Sequence, residues 1–504
     1  MDCCNHPIFQ NTVVHFVNIL NSLLKVDKAH KLPVYLQIAN QLMEHIKDGK
    51  LKPGYKLLSS RDLSASLGVH RKTVIQAYDE LLAQGWLESA TGRGTFVASH
   101  LPQIQLQKLS DHKSIPEDRK KVAGFEFSPV PLLYRPPLKS GSSLHLDDGF
   151  PDARLAPLEE LSRAYRSQLL TGNAYTKLGY GDTRGALWLR KELSSYLNET
   201  RGLNTSCENI LIVRGTIMGL YLVSNGLLSK GDYVLVGEMG WQGAKINFEK
   251  AGANILTIRS DKNGIDIDEL EVLCKKRKIR LIYVTSHHHY PTTVALRADR
   301  RIRLLQLAEK YGFIIFEDDY DYDFHYLSKP LLPLASADEA GMVLYCGSFT
   351  KAISPAFRVG YLVGPENIIT HLAQLRRIID RQGDTMLENA IAELLQNGVI
   401  QRHLRKSVRE YRQRRDIFCD LLKNDLSNYV DFQIPDGGMA VWTCFDSGIN
   451  LKNLAEKALQ KDLYFADGSM HNDTIDRHAT RLGFASSSTR ELEMSVEILK
   501  ELLK

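Results

Sequence analysis

From about Leu146 onward, short β-rich runs recur at 210–213, 233–236, 281–285, 313–316, 343–346 and 359–363, separated by longer helical stretches. Strands alternating with helices in this way imply an α/β domain, a mainly parallel sheet covered by helices. In such sheets ligands collect at the carboxyl ends of the strands, so the residues that close each run carry the functional argument. A chain of 504 residues also exceeds one small core, and the residues before 146 must be organised separately.

The earlier part reads differently. Tyr35, Ile38, Ala39, Leu42 and Ile46 recur at helical spacing, with Gly49 where a helix would stop. Ser59 stands three residues before Asp62, a cap-like pair that opens a second short helix containing Leu63 and Leu67 and ending at Gly68. A third helix begins at His70-Arg71-Lys72-Thr73, with Val74, Ala77, Leu81 and Leu82 able to pack inward. A basic, hydroxylic helix start suits the major groove, where cationic side chains and free N–H groups meet phosphates and base edges. A small hairpin follows, with Arg93 at the tip of its Thr91–Gly94 turn. These features describe a winged helix-turn-helix with a recognition helix starting at His70-Arg71-Lys72-Thr73 and Arg93 on its wing.

The expected organisation is an N-terminal extension over 1–31, the winged helix over 32–98, a linker over 99–145 and the large domain over 146–504. The extension holds an apolar stretch, Val13 to Leu24, and the linker gathers Pro102, Pro116, Pro129, Pro131, Pro136 and Pro137. The net charge of +5 is too small to announce a nucleic-acid binder by itself. Seven scattered cysteines give neither a disulfide framework nor zinc spacing. No apolar run reaches the roughly 20 residues that span a bilayer, and residues 1–10 lack the regions of a signal peptide. A cytoplasmic protein without a membrane partner is expected.

In the large domain, the 313–316 run leads into Glu317-Asp318-Asp319-Tyr320, and the next ends at Gly347-Ser348-Phe349-Thr350-Lys351. A desolvated lysine condenses with an aldehyde, and an opposed carboxylate keeps a pyridine nitrogen protonated, which is the division of labour that pyridoxal phosphate requires. Ser348, Thr350 and Arg358 supply phosphate donors, joined by the strand-to-helix turn Gly215-Thr216-Ile217. Trp241 can stack on the ring. His287, His288 and His289 are adjacent, and alternation along a strand would keep them from converging on a metal. The basic segment 402–415 reads as a solvated face or a subunit contact rather than a further DNA-binding surface.

The run from Pro33 to Ala98 resembles the GntR-type winged helix through Leu51-Lys52-Pro53-Gly54, Ser60-Arg61, Leu67-Gly68-Val69, Gly85-Trp86-Leu87 and Gly92-Arg93-Gly94-Thr95-Phe96-Val97, with Ile75 where many relatives have arginine. That resemblance makes Arg61, His70, Arg71, Lys72, Thr73 and Arg93 the candidate DNA contacts. Leu146 to Lys504 resembles fold-type I aminotransferases through Tyr180-Gly181-Asp182-Thr183-Arg184-Gly185, Glu317–Asp321, Ser348–Lys351 with Pro355 and Arg358–Tyr361, and Arg481-Leu482-Gly483-Phe484-Ala485. Together they resemble the MocR-type subfamily of GntR regulators. That resemblance implies a mainly parallel sheet with a smaller C-terminal α+β subdomain, Lys351 as the Schiff-base lysine of an internal aldimine, Asp318 as partner of the pyridine nitrogen, Tyr320 near the phenolic oxygen and Arg481 as clamp for an effector carboxylate. His289 and Thr293 stand where glutamine and glycine are usual, and the Gly215–Met218 helix start lacks its usual glutamine. The function implied is a homodimeric transcription regulator that binds a double-stranded operator and senses a small amine, an amino acid or pyridoxal phosphate itself. The alternative is a working aminotransferase with an accessory DNA-binding domain.

Overall fold

In a computed structural model of the protein the described residues are 24–101, 123–133, 141–326, 331–471 and 478–504. The stretch 13–24, apart from Leu24, and most of the 99–145 linker lie outside them. The chain divides into two compact units, Met1–Pro129 and Val130–Lys504.

The first unit contains α1 (Val34–Lys47), α2 (Ser60–Leu67), α3 (Arg71–Ala83) and the antiparallel hairpin β1 (Leu87–Ala90) and β2 (Gly94–Val97). The Ser59 hydroxyl accepts the Asp62 N–H at the start of α2, and Gly68 closes that helix in the left-handed region at φ 60°. These two caps turn the chain sharply into α3. Ile38, Leu42, Leu63, Val74, Ala77, Leu81 and Val97 form one buried core. Burial contributes about 1.5–3 kcal/mol for each full-sized apolar side chain. Leu24 packs there too.

The second unit is built on a seven-stranded sheet of β4 (Ile210–Val213), β5 (Tyr233–Gly237), β6 (Asn254–Ile258), β7 (Ile279–Val284), β8 (Ile314–Asp319), β9 (Val343–Ser348) and β10 (Gly360–Val363). Its order is β4-β10-β9-β8-β7-β5-β6. Only β10 runs against its neighbours, so the sheet is mainly parallel. Strand β6, Asn254-Ile255-Leu256-Thr257-Ile258, is largely half-exposed and its apolar run is broken by Thr257, so it escapes a search for apolar runs. Apolar clusters on both faces of the sheet bury Leu211, Val234, Leu281 and Phe316 on one side and Leu235, Ile282 and Ile315 on the other.

A smaller part carries β3 (Leu144–Leu146) paired in parallel with β13 (Leu463–Phe465). Beside it lies an antiparallel sheet of β11 (Val430–Phe432), β12 (Ala440–Phe445) and β14 (Ala479–Gly483). The helices used below are α4 (Thr216–Leu227), α5 (Gln242–Lys250), α6 (Phe349–Ala352) and α7 (Val399–Asp425).

Candidate functional site

In the first unit Arg61, His70, Arg71, Lys72 and Arg93 are exposed and Thr73 is half-buried, while Val74, Ala77 and Leu81 turn inward. The split follows from helical periodicity, which gives α3 one apolar face and leaves its basic start to solvent. His70 caps α3 with its ring nitrogen accepting the Lys72 N–H at 3.2 Å, and Arg71 reaches Ser60 at 3.2 Å. Tyr78 fixes α3 from below by donating to the Leu58 carbonyl at 2.9 Å.

In the second unit the acidic run lies inside β8 rather than beyond it, and the two-residue strand period sorts its members. Glu317 and Asp319 point one way. Glu317 accepts the Leu334 and Ala335 amides at 2.8 and 3.0 Å, and Asp319 accepts the Tyr345 hydroxyl at 2.6 Å. Asp318 points the other way, accepting the Tyr283 hydroxyl at 2.8 Å, with the Thr216 hydroxyl at 3.5 Å. Burial pushes its carboxyl up to about 7, against the Tyr283 hydrogen bond. An acid so buried gains from a cationic partner that restores its charge.

Lys351 lies in α6, a four-residue helix that the Ser348 side chain caps by accepting the Thr350 N–H at 3.0 Å. The lysine Nζ donates to the Gly149 carbonyl at 2.7 Å and sits 4.3 Å from the Phe150 ring centre. Burial lowers its pKa; Asp148 and Asp147 oppose the shift and Arg481 adds to it. The free-base fraction therefore rises, as condensation with an aldehyde requires.

Register brings the expected phosphate donors to one end of the sheet. Ser348 on β9 is level with Gly360 on β10, which is level with Val213 on β4. Gly215 caps α4 at φ 74°, and a Cβ there would stand 2.7 Å from the Arg358 Nη2. Gly215, Thr216, Ile217, Ser348, Thr350 and Arg358 thus converge on one helix start, where free N–H groups and the helix dipole favour an anion. Arg358 is exposed and donates to the Arg214 carbonyl at 3.0 Å.

Trp241 stands at the N-terminus of α5 and lines a small cleft with Gly237, Tyr283, Thr285, His289 and Tyr290. The cleft opens beside Tyr283, the residue that holds Asp318. Burial drives His289 down to about 4, helped by Arg481, so its imidazole is neutral at ordinary pH.

The structure gives three more of the sequence-based candidates their surroundings. The histidines leave β7 at Val284 and lie in a loop, so strand alternation is not what separates them. They diverge because His287 meets Asp319, His288 meets Asp321 at 2.8 Å and His289 meets Thr292 at 2.8 Å. The Tyr320 hydroxyl is engaged with the His288 carbonyl at 3.1 Å. Arg481, 1% exposed on β14, has partners within the chain: its Nε lies 2.8 Å from Asp148 and its Nη1 donates to the Pro291 carbonyl at 2.9 Å. The basic helix is α7, where Arg414 is buried against Asp152 and Glu410, while Arg402, Arg405, Lys406, Arg409 and Arg412 are exposed.

Sequence reasoning missed Tyr283, Asp148 and Gly149. Tyr283 lies within a recognised strand, and its alternation with Ile282 marks it as facing the same side of the sheet as Asp318. Asp148 and Gly149 follow β3, a three-residue strand too short to signal a strand end.

The mainly parallel sheet, the lysine at the end of β9 and the buried acid of β8 define an aminotransferase-type domain joined to a winged helix. Residues 147–499 match the family described as "Aminotransferase class I and II" and residues 34–97 match "Bacterial regulatory proteins, gntR family". The chain belongs to the aminotransferase class I and II family and, with its GntR-family domain, has the composition of the MocR-type regulators. It is 29% identical to the uncharacterized HTH-type transcriptional regulator YdfD of Bacillus subtilis over 95% of this chain and 98% of the relative. It is 27% identical to the probable rhizopine catabolism regulatory protein MocR of Rhizobium meliloti over 83% of each. The fold matches LysN, an α-aminoadipate aminotransferase of Thermus thermophilus complexed with N-(5'-phosphopyridoxyl)-L-leucine. That match has TM-score 0.66 and 27% identity, covering 71% of this chain and 92% of that one. It also matches a kynurenine aminotransferase of Pyrococcus horikoshii in complex with PMP, with TM-score 0.68 and 26% identity, covering 77% and 99%. Pyridoxal phosphate is the cofactor of this domain, and the buried Asp318 together with the Gly215 cradle fits its ring nitrogen and its phosphate. Among the described residues no helix is long and apolar enough to cross a membrane.

Proposed function

We propose that this protein is a DNA-binding transcription regulator whose large domain uses pyridoxal phosphate to sense a small amine, an amino acid or the cofactor itself. The observation that carries this reading is the presence in one chain of an exposed basic start to α3 and a lysine and acid suited to the cofactor. When bound, the cofactor supplies an aldehyde that condenses with primary amines. Lys351 is the group that would hold it, and Asp318 would keep a proton on its ring nitrogen. Thr216, Ile217, Ser348, Thr350 and Arg358 would bind the phosphate, with Trp241 against the ring. Arg61, His70, Arg71, Lys72, Thr73 and Arg93 would contact the operator, two copies of the chain forming a homodimer on two half-sites.

A second reading, an aminotransferase with an accessory DNA-binding domain, is favoured by one observation: the lysine and the acid keep the chemistry of transamination. The two are separated by titrating purified protein with pyridoxal phosphate and candidate amines while following cofactor absorbance and operator affinity together, with Lys351→Ala as control. A regulator shows operator affinity that moves with occupancy and depends on Lys351. Sustained turnover with a 2-oxo acid and an operator affinity indifferent to occupancy would instead establish the enzyme.

A further inference from the structure

Among the described residues the Arg481 guanidinium is the buried cation beside Lys351 that a ligand carboxylate could use, and the chain has already supplied a carboxylate to it. Asp148 Oδ1 lies 2.8 Å from Arg481 Nε, a contact of charge rather than an aligned hydrogen bond. The other Asp148 oxygen accepts the Tyr290 hydroxyl at 2.7 Å. Arg481 is closed on its remaining sides as well. Its Nη1 donates to the Pro291 carbonyl at 2.9 Å, its carbon lies 4.9 Å from the Tyr290 ring centre, and its Nη2 packs against Gly149.

Exposure sets what a ligand meets. The Arg481 side chain is 1% exposed and that of Asp148 is 26% exposed, so the reachable half of the pair is the anion. Asp148 also sits next to Gly149, whose carbonyl accepts from Lys351 Nζ, so the pair lies within reach of whatever is bound at the lysine. His471 adds to this wall: it is 1% exposed, 5.4 Å from the Tyr290 ring, and both of its ring nitrogens lack a hydrogen-bond partner among the described residues. Burial keeps it neutral, near 4. Neutral and buried, it brings no positive charge to this wall.

We infer that Asp148 is a specificity-determining residue which neutralises Arg481 from within, so that the effector is a primary amine with no carboxylate on the carbon that carries the amino group. An α-amino acid would have to displace Asp148 from Arg481, leaving that partly exposed carboxylate against Tyr290 without its counter-charge, or bring its own carboxylate against it unpaired. Both options cost a charge-assisted interaction that the amine keeps. This rests on the reading of the large domain as a cofactor-loaded amine sensor.

The experiment is calorimetric titration of the full-length, cofactor-loaded protein with two matched pairs, 2-phenylethylamine against phenylalanine and pentane-1,5-diamine against lysine. Within a pair that binds, the amine is expected to be tighter than the amino acid by about tenfold or more, and Asp148→Asn is expected to move that ratio toward the amino acid by about tenfold. Tyr290→Phe, which removes one hydrogen bond to Asp148 and leaves the core in place, should move it the same way by less, and stands in if the aspartate variant unfolds. An amino acid that binds wild type as tightly as its amine, a ratio unmoved by either variant, or binding of no member of either pair by protein that has taken up cofactor overturns the inference. Failure to take up cofactor at all overturns instead the reading on which it rests.

Discussion

Asp318 is buried, holds two hydroxyl groups and titrates near neutrality, so its environment is shaped for a partner that the protein chain does not provide. A carboxyl whose folded pKa is raised costs no stability below the unfolded value near 3.8. The cost grows as pH rises toward 7 and is constant above it. Asp318→Asn, which keeps an acceptor for Tyr283, should therefore stabilise the cofactor-free protein at pH 8 by roughly 2–4 kcal/mol and leave it unchanged below about pH 4. The same variant should bind pyridoxal phosphate more weakly, because the ring nitrogen loses its anion. Denaturation at the two pH values with and without cofactor checks both, and equal stabilisation at both pH values would remove burial of the charge as the cause. Lys351 and Asp318 were legible in the sequence because each closely follows a run of strong apolar character. The pairing of Asp148 with Arg481 was not: their contact spans more than 300 positions and depends on how β3 and β14 are brought together. Thr293 shows the reverse. Its substitution for a usual glycine was visible in the sequence, and its cost is visible in the backbone, where the residue sits at φ 63°.

At the level of elements, α3 and the start of α4 do related work with opposite designs. Each is a helix start suited to an anion, but α3 presents exposed cations, its first amides being capped by His70, while α4 uses Gly215 and a single arginine. The first design suits a long phosphate backbone approached from solvent, and the second a single phosphate held in a cradle. If α3 meets the operator as proposed, Arg71→Ala should weaken binding to every sequence. It should also flatten the slope of log affinity against log salt by about 0.9, because one phosphate is no longer neutralised. Fluorescence anisotropy over a salt series with operator and scrambled duplex measures it. An unchanged slope, or weakening confined to the operator, would move Arg71 from phosphate to base recognition. The winged helix was readable because its caps, Ser59 and Gly68, and its apolar face are local signals. The half-exposed β6 was not, because its place in the sheet comes from pairing with β5 rather than from its own composition.

For the whole molecule, each unit has its own buried core, so a ligand in the large unit can alter DNA binding only by favouring one of two states of the assembly. Such coupling is reciprocal. If an amine changes operator affinity by some factor, operator DNA must change amine affinity by the same factor, and couplings of this kind lie between about 5-fold and 150-fold. Amine titrations of the cofactor-loaded protein, with and without saturating operator, should therefore return the factor that operator titrations give with and without saturating amine. Lys351→Ala should bring both factors to one while leaving operator affinity in the absence of amine measurable. Light scattering at each corner of the cycle should give the mass of a dimer. A mass that changes between corners would mean that the ligand acts by assembling subunits, and the two factors would then depend on protein concentration. A factor of one in both directions, with cofactor bound, would leave the large unit as an enzyme attached to a DNA-binding domain.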